Sequence, residues 1–475
     1  MSHYVRLWRI NLSSLSSSAA KWFLALSYDD LPVDIVEETH RAILNTIAVA
    51  TAASVLEYGS PVCATAKDLG GIGSAHLFGS GEKTSASAAA FANATMSAAL
   101  AYDDSHTETL IHVYGTIVST VLALAQQHAI DGKEVLTVVA GASELTCRIG
   151  MIAPTAFHRN GLHPTGIIGA FGAAYAAARL LRLSYTQTVH AIGIVGNLAS
   201  GINQCWVDGT WSQLLDNGWA AQAGITAATI ARHGYTGPSE VLEGKLGLFR
   251  SHIQQPGYPF DFDCMIHDLG THWEMREIEI KPYPCGHVSQ PFVDCALSLY
   301  RRGLKHEDIA SVTCLVSDWM VPVVCEPLER KRRPTTAWHG RVSLPYTIAE
   351  TLWFGRLDAE SYRSEYLASR ELLELADRVS YEIDTSVRGG RTYKGWVRVT
   401  THDGRLLEEI KSEEDSCKHM PREVFLDKIR CCLRTGGIED RHEALVAAVE
   451  RLNDASSIVE VMAACDPTSS LKGGK

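Results

Sequence analysis

Three short stretches of this chain gather residue types that can move protons and hold anions. The first is Asp103-Asp104-Ser105-His106, followed six residues on by His112. Imidazole titrates near neutral pH unaided, and a carboxylate beside it can orient it, so this cluster suits general acid–base work. The same residues suit a helix cap with solvated charges, and spacing alone leaves both readings open. The second stretch is His158-Arg159-Asn160-Gly161-Leu162-His163-Pro164-Thr165-Gly166, directly ahead of a Gly/Ala-rich helical pattern. A helix starting there offers free backbone N–H groups and a partial positive charge to a carboxylate, with His163 facing it. A His-Pro turn without a ligand is the alternative. The third is Lys281-Pro282-Tyr283-Pro284-Cys285-Gly286-His287. Its two prolines and glycine stiffen the loop and make the lysine a fixed cation, or they only join a strand to a helix.

The elements that must position these clusters fall into two styles. From Ser27 to about His267, apolar residues recur every three to four positions between Gly and Pro breaks, which predicts helices. After Asp29-Asp30-Leu31-Pro32, the residues Ile35, Thr39, Ala42, Ile43, Thr46 and Ile47 can line one helix face. Further helices are predicted over 85–100, 115–128, 132–147, 165–181, 184–198 and 218–233. Those around 86–101 and 169–178 are so rich in small residues that they belong near the centre of a bundle.

After about Pro256, strand patterns appear at 273–280, 311–316, 379–383 and 396–400, with Asp403-Gly404 as a turn, interleaved with helices at 290–302, 344–354 and 369–377. Residues 421–464 return to helix period. The expected fold class is mainly α: a large all-helical domain built from residues 1–267 and 406–475, carrying a smaller α+β lid domain over 268–405.

Composition narrows the partners. A chain of 475 residues, 46% hydrophobic, with a net charge of −11, suits neither nucleic acid nor an anionic membrane surface. The twelve cysteines form no CxxC pair, which predicts a reducing compartment and no structural zinc. The most hydrophobic run, 166–181, is too short and Gly-rich for a membrane span. The first 28 residues carry Arg6, Arg9 and Lys21, no acid, and a Ser-rich stretch. They read as an N-terminal arm or as a mitochondrial presequence, so the expected location is cytoplasmic with mitochondrial as the alternative.

Taken in order, these clusters and their neighbours resemble the MmgE/PrpD family, which includes 2-methylcitrate dehydratase and cis-aconitate decarboxylase. The resemblance rests on Ala89-Ala90-Phe91-Ala92-Asn93 before Tyr102-Asp103-Asp104-Ser105-His106, Gly161-Leu162-His163-Pro164-Thr165-Gly166 and Phe171-Gly172-Ala173-Ala174. It continues through Gly193-Ile194-Val195-Gly196, Gly218-Trp219-Ala220-Ala221, Gly234-Tyr235-Thr236-Gly237-Pro238, Lys281-Pro282-Tyr283-Pro284-Cys285 and Ser343-Leu344-Pro345-Tyr346. It implies a homodimer acting on a small carboxylic acid, with a metal-free and cofactor-free site between helical and lid domains. By matching position, His112 and His163 would transfer protons and Lys281 would anchor a carboxylate. Asp103, Asp104, Ser105, His106, Gln213 and His287 would form the substrate-binding wall.

Two departures from the family pattern stand out. Ala101 occupies a position where the family commonly has an acid, and Gln213 one where it usually has a lysine. A lost cation weakens the binding of a trianion, because charge-assisted hydrogen bonds exceed neutral ones by about 1 kcal/mol. The expected activity is dehydration of 2-methylcitrate or an alkylcitrate. Decarboxylation of cis-aconitate or an alkyl-aconitate is the second reading, and a divergent isomerase, cyclase or non-catalytic binder is the third. Trp206, Trp211 and Trp219 either line an apolar subsite near Gln213 or pack in the core.

Overall fold

The computed structural model describes residues 13–385, 394–412 and 420–468. Arg6 and Arg9 of the N-terminal segment lie outside the described residues. The expected fold class is observed: a mainly helical body with a small α+β part.

The body starts with α1 (Leu15–Ala25), α2 (Val33–Ser54), α3 (Gly59–Gly70), α4 (Ala86–Ala98), α5 (Tyr114–His128) and α6 (Gly132–Met151). It continues with α7 (Ala156–Arg159), α8 (Pro164–Leu180), α9 (Tyr185–Val195), α10 (Cys205–Asp208) and α11 (Leu214–Arg232). The face read on α2 is the buried one, from Ile35 through Ile47. Both small-residue helices are inside: α8 is buried along almost its whole length, with Pro164 in its first turn, and so is α4 behind its Ser85 cap.

Small residues are required there because α4, α8 and α11 touch backbone to backbone. A Cβ placed on Gly224 of α11 would lie 2.5 Å from the Ala173 Cβ and 2.6 Å from its carbonyl carbon. One on Gly218 would meet the Phe91 carbonyl at 2.4 Å. The helices Arg422–Thr435, His442–Glu450 and Val459–Cys465 return to this body, the first against α2.

The short hairpin β1 (Ala75–His76) and β2 (Lys83–Thr84) lies apart from the chemistry. Of more consequence is β3 (Asp104–His106), which pairs antiparallel with β4 (Ile278–Ile280) in the register Asp104 to Ile280. The sequence reads 103–106 as an acid–base cluster or a helix cap, with no strand, and 273–280 as one strand. Residues 274–277 instead form a 3-10 turn, because the buried Glu144 carboxylate accepts the Met275 N–H at 3.0 Å and takes it out of any ladder.

A second hydrophobic cluster, from Cys285 to Val399, is separate from that of the body. Its sheet runs β6-β5-β7-β8, with β5 (Ile309–Val316) parallel to β6 (Val379–Ile383) and antiparallel to β7 (Gly395–Thr401). The edge strand β8 (Leu406–Lys411) pairs with β7 across the expected turn, where Gly404 takes φ +83. β8 escapes a hydrophobic-pattern reading because only alternate residues are even half-buried.

Among the described residues, no single helix is both long and apolar enough to cross a membrane. In an open helix interior, Gly→Ala would stabilise by up to about 1 kcal/mol. Gly224→Ala is expected to do the opposite, costing about 1–3 kcal/mol through forced separation of α8 and α11. Chemical denaturation reads the sign directly.

Candidate active site

Strand alternation sorts the first cluster. Successive side chains of a strand point to opposite faces, and here Asp103 and Ser105 face one way while Asp104 and His106 face the other. On the first side, Lys281 donates to Asp103 at 2.6 Å, with both side chains buried. The Lys281 N–H also donates to the Asp103 carbonyl at 2.9 Å, so main chain and side chains bridge the same two residues. Burial acts to raise the Asp103 carboxyl, but His112 and Lys281 outweigh it and hold the group below its ordinary range.

On the opposite side, the Asp104 carboxylate accepts the backbone N–H groups of Val113 (2.7 Å) and Tyr114 (3.1 Å), capping the start of α5. Burial, then repulsion from Asp103, pushes it up to about 7. His106 is fully buried, with Nδ1 at 3.0 Å from the Thr109 hydroxyl and Nε2 at 3.5 Å from Glu274. Neither Asp104 nor His106 lines the cavity described below.

The cap sets His112 in place just before α5. Its Nδ1 lies 2.6 Å from the Asp104 carbonyl, which can only accept, so Nδ1 carries the proton. Lys281 Nζ is 3.4 Å from the same nitrogen. Burial, opposed by Asp103 and reinforced by Lys281, pushes His112 down to about 4. The ring is therefore neutral at neutral pH, with Nε2 as its lone-pair nitrogen.

His163, the residue preceding α8, is fixed at both nitrogens. Nδ1 lies 2.8 Å from Asp216 on α11 and Nε2 lies 3.0 Å from the Gln213 side-chain nitrogen. The imidazoles of His112 and His163 are 6.0 Å apart between centroids.

Both hydrophobic clusters wall one cavity of about 1360 Å3. The body contributes Ala101, Ser105, His112, His158, His163 and Gln213, with Lys281 at the end of β4 and Trp338 and Val342 packed in the same cluster. The second cluster contributes Val288 and Val324 with Trp319 and Val323 against it, and His287 lies beside them. Of the sequence-predicted site, His112, His163, Lys281, Ser105, Gln213 and His287 line it, and Asp103 sits directly behind Lys281. Ala101 lines it with a left-handed backbone, φ +48. Of the three tryptophans near Gln213, Trp206 lines the cavity, Trp211 packs edge-on against Tyr58, and Trp219 donates to the Leu198 carbonyl at 2.8 Å.

The loop after Lys281 is braced as its prolines suggest. Gln290 donates to the carbonyls of Tyr283 and Cys285 at 2.9 and 3.0 Å, and Arg341 donates at 3.2 Å to both Pro284 and Leu100 carbonyls, tying this wall to the body. Burial pushes His287 down to about 3, with Lys281 adding to the effect.

The MmgE/PrpD N-terminal domain matches residues 17–261 and the MmgE/PrpD C-terminal domain matches residues 283–454. The chain belongs to the MmgE/PrpD family. Similar MmgE/PrpD relatives include the cis-aconitate decarboxylase of Aspergillus terreus, 26% identical over 95% of this chain and 96% of the relative. The cis-aconitate decarboxylase-like protein oryM of Aspergillus oryzae is 23% identical over 84% and 86%. The Mus musculus cis-aconitate decarboxylase is 23% identical over 93% and 91%.

Two residues of this MmgE/PrpD site, Asp216 and Lys428, escape a motif reading, while His158 belongs to the second stretch read above. Asp216 orients His163 from a position that reads as an ordinary helix start. His158 stacks on Trp206, centroids 5.8 Å apart, and burial pushes it down to about 3. Lys428, on the helix Arg422–Thr435, reaches behind the site and donates to the carbonyls of Tyr102 (2.8 Å) and Lys281 (2.7 Å), gripping both strands at the Asp103–Lys281 step. Only the helical period was legible around it, and the amphipathic pattern gives no sign of a buried ammonium.

Burial pushes Lys428 down to about 7, whereas an unfolded lysine titrates near ~10.4. Between those values the unfolded chain binds more protons than the native one, so this group makes stability rise with pH. The Tm of the wild type is expected to gain on that of Lys428→Met between pH 7 and 10. Parallel Tm curves would refute it.

Proposed function

We propose that the protein is a lyase that dehydrates a citrate-like or alkylcitrate-like acid, with His112 as the base. The observation that carries this reading is the neutral His112, held by its Nδ1–H on the Asp104 carbonyl, so that its other nitrogen is free to take a proton beside the Lys281 cation. His112 Nε2 removes the proton on the carbon next to a carboxylate. The electron pair flows toward that carboxylate, which Lys281 holds, and then expels hydroxide from the neighbouring carbon. The imidazolium returns its proton to the departing hydroxide, so water leaves and His112 is neutral again.

The second reading, decarboxylation of an aconitate-like acid, is favoured by the names of the relatives. There the carbon–carbon bond breaks first, and the electron pair left on carbon takes a proton from an imidazolium. A histidine pushed down to about 4 is unprotonated at neutral pH, which suits a base better than a standing acid.

Charge and shape favour a substrate with an apolar tail over a compact trianion. Lys281 is already neutralised by Asp103, Gln213 carries no charge, and the lining cation Arg159 is matched by the lining acids Glu108 and Asp318. The volume exceeds that of a typical site for a drug-sized ligand, roughly 300–1,000 Å3. Trp319, Pro322, Val323, Val324, Trp338 and Val342 make one side apolar. Each methylene seated there is worth about 0.8 kcal/mol, roughly fourfold in kcat/KM.

Mass spectrometry of products from citrate, 2-methylcitrate, longer alkylcitrates and cis-aconitate tests the class. Formation of the dehydrated acid, with kcat/KM rising along the alkylcitrate series, is expected; release of carbon dioxide instead would establish the second reading. His112→Gln should lower kcat by about 10^2–10^4-fold. The acid limb of the wild-type kcat/KM profile should fall near pH 4, since protonation of His112 removes the base. A decarboxylase using the same ring as acid would instead speed up as pH falls toward that value.

A further inference from the structure

The second histidine of the site has its lone pair occupied. Trp206 Nε1 lies 2.6 Å from the Gln213 side-chain oxygen, and an indole N–H can only donate. That contact fixes the orientation of the amide, because the flipped form would set two donors against each other. The Gln213 amide N–H groups therefore face His163 Nε2 at 3.0 Å. An amide nitrogen cannot accept, so Nε2 must be the acceptor and the ring proton sits on Nδ1, donated to Asp216 at 2.8 Å. Trp206, Gln213, His163 and Asp216 form one chain of hydrogen bonds running in a single direction toward the carboxylate.

The chain is built in from both ends. Trp206 is pinned by its stack on His158, the two planes within 14°. Asp216 is boxed in by glycines: a Cβ on Gly201 would come 3.1 Å from its Oδ2 and one on Gly166 3.0 Å from its Cβ. His163 itself is 2% exposed. The titratable groups around its ring are Asp216 on α11, His112 ahead of α5 and His158 on α7, the last two with centroids 6.0 and 6.1 Å away.

We propose that Gln213 withdraws His163 from proton transfer and makes it a positioning residue, leaving His112 as the one proton carrier of this site. The proposal rests on the lyase reading for its kinetic arm only. A neutral amide at position 213 then does two things: it supplies no charge to the substrate, and it holds His163 as a fixed, uncharged part of the wall.

The test uses the whole protein with 15N-labelled histidine. His163→Asn identifies the ring's resonances by their loss. In the wild type, His163 is expected as the Nδ1–H tautomer with a hydrogen-bonded Nε2. Gln213→Leu should move the Nε2 resonance to that of an unbonded lone-pair nitrogen. Gln213→Glu, whose carboxylate can only accept, should put a proton on Nε2. In turnover of a substrate accepted by the wild type, His163→Asn keeps a donor toward Asp216. It should shift KM more than kcat and leave the pH profile intact, whereas His112→Gln removes activity.

A His163 ring protonated at Nε2 in the wild type would overturn the proposal. So would a His163→Asn variant that folds but loses as much kcat as His112→Gln together with a limb of the pH profile. If no acid in the panel is turned over, the lyase reading fails, while the tautomer assignment still stands or falls on the spectra.

Discussion

Everything near the site depends on the buried pairing of Asp103 with Lys281. Two ions removed from water each lose several kcal/mol of solvation, and attraction repays this only with close geometry and further hydrogen bonds. Here the side chains meet at 2.6 Å and the main chains of the same residues pair as well. The pair therefore sets the register of β3 on β4, and with it which side chains of 103–106 face the cavity. It also brings Lys281 close to His112, which helps keep that imidazole neutral. The cost is that the Lys281 cation is partly spent before any substrate arrives.

The sequence made the helical body legible because its apolar residues recur with helical period and its interhelical contacts demand small side chains. It also made the chemistry-bearing clusters legible, since His112, His163, Lys281 and Gln213 do line one cavity. What stayed hidden are relations that spacing does not encode. A three-residue strand gives too few alternations to reveal that Asp104 turns back to cap α5 while Asp103 turns forward. Lys428 acts across more than three hundred residues of chain on Tyr102. The direction of the Gln213 amide follows from a tryptophan N–H, and no motif specifies that.

Three imidazoles here share one property, neutrality. Burial pushes His112, His158 and His287 down to between about 3 and 4. An environment that keeps imidazoles uncharged favours acceptors of protons over donors, and it places the burden of anion binding on lysine and on backbone and amide N–H groups. The Gln213 amide belongs with this pattern, since it hydrogen-bonds His163 without adding a charge.

The cavity's two walls belong to different hydrophobic clusters. His112, His163 and their orienting partners stand on the body, while the apolar wall of Trp319, Val323 and Val324 stands on the other cluster. The two meet through Trp338 and Val342, which pack in the body's cluster, and through links such as Arg341 to the Leu100 carbonyl. Changes of volume or polarity in that apolar wall can thus be absorbed within its own core. The packing behind that wall and the packing that orients the imidazoles are largely independent, so a change of bulk in one leaves the geometry of the other in place.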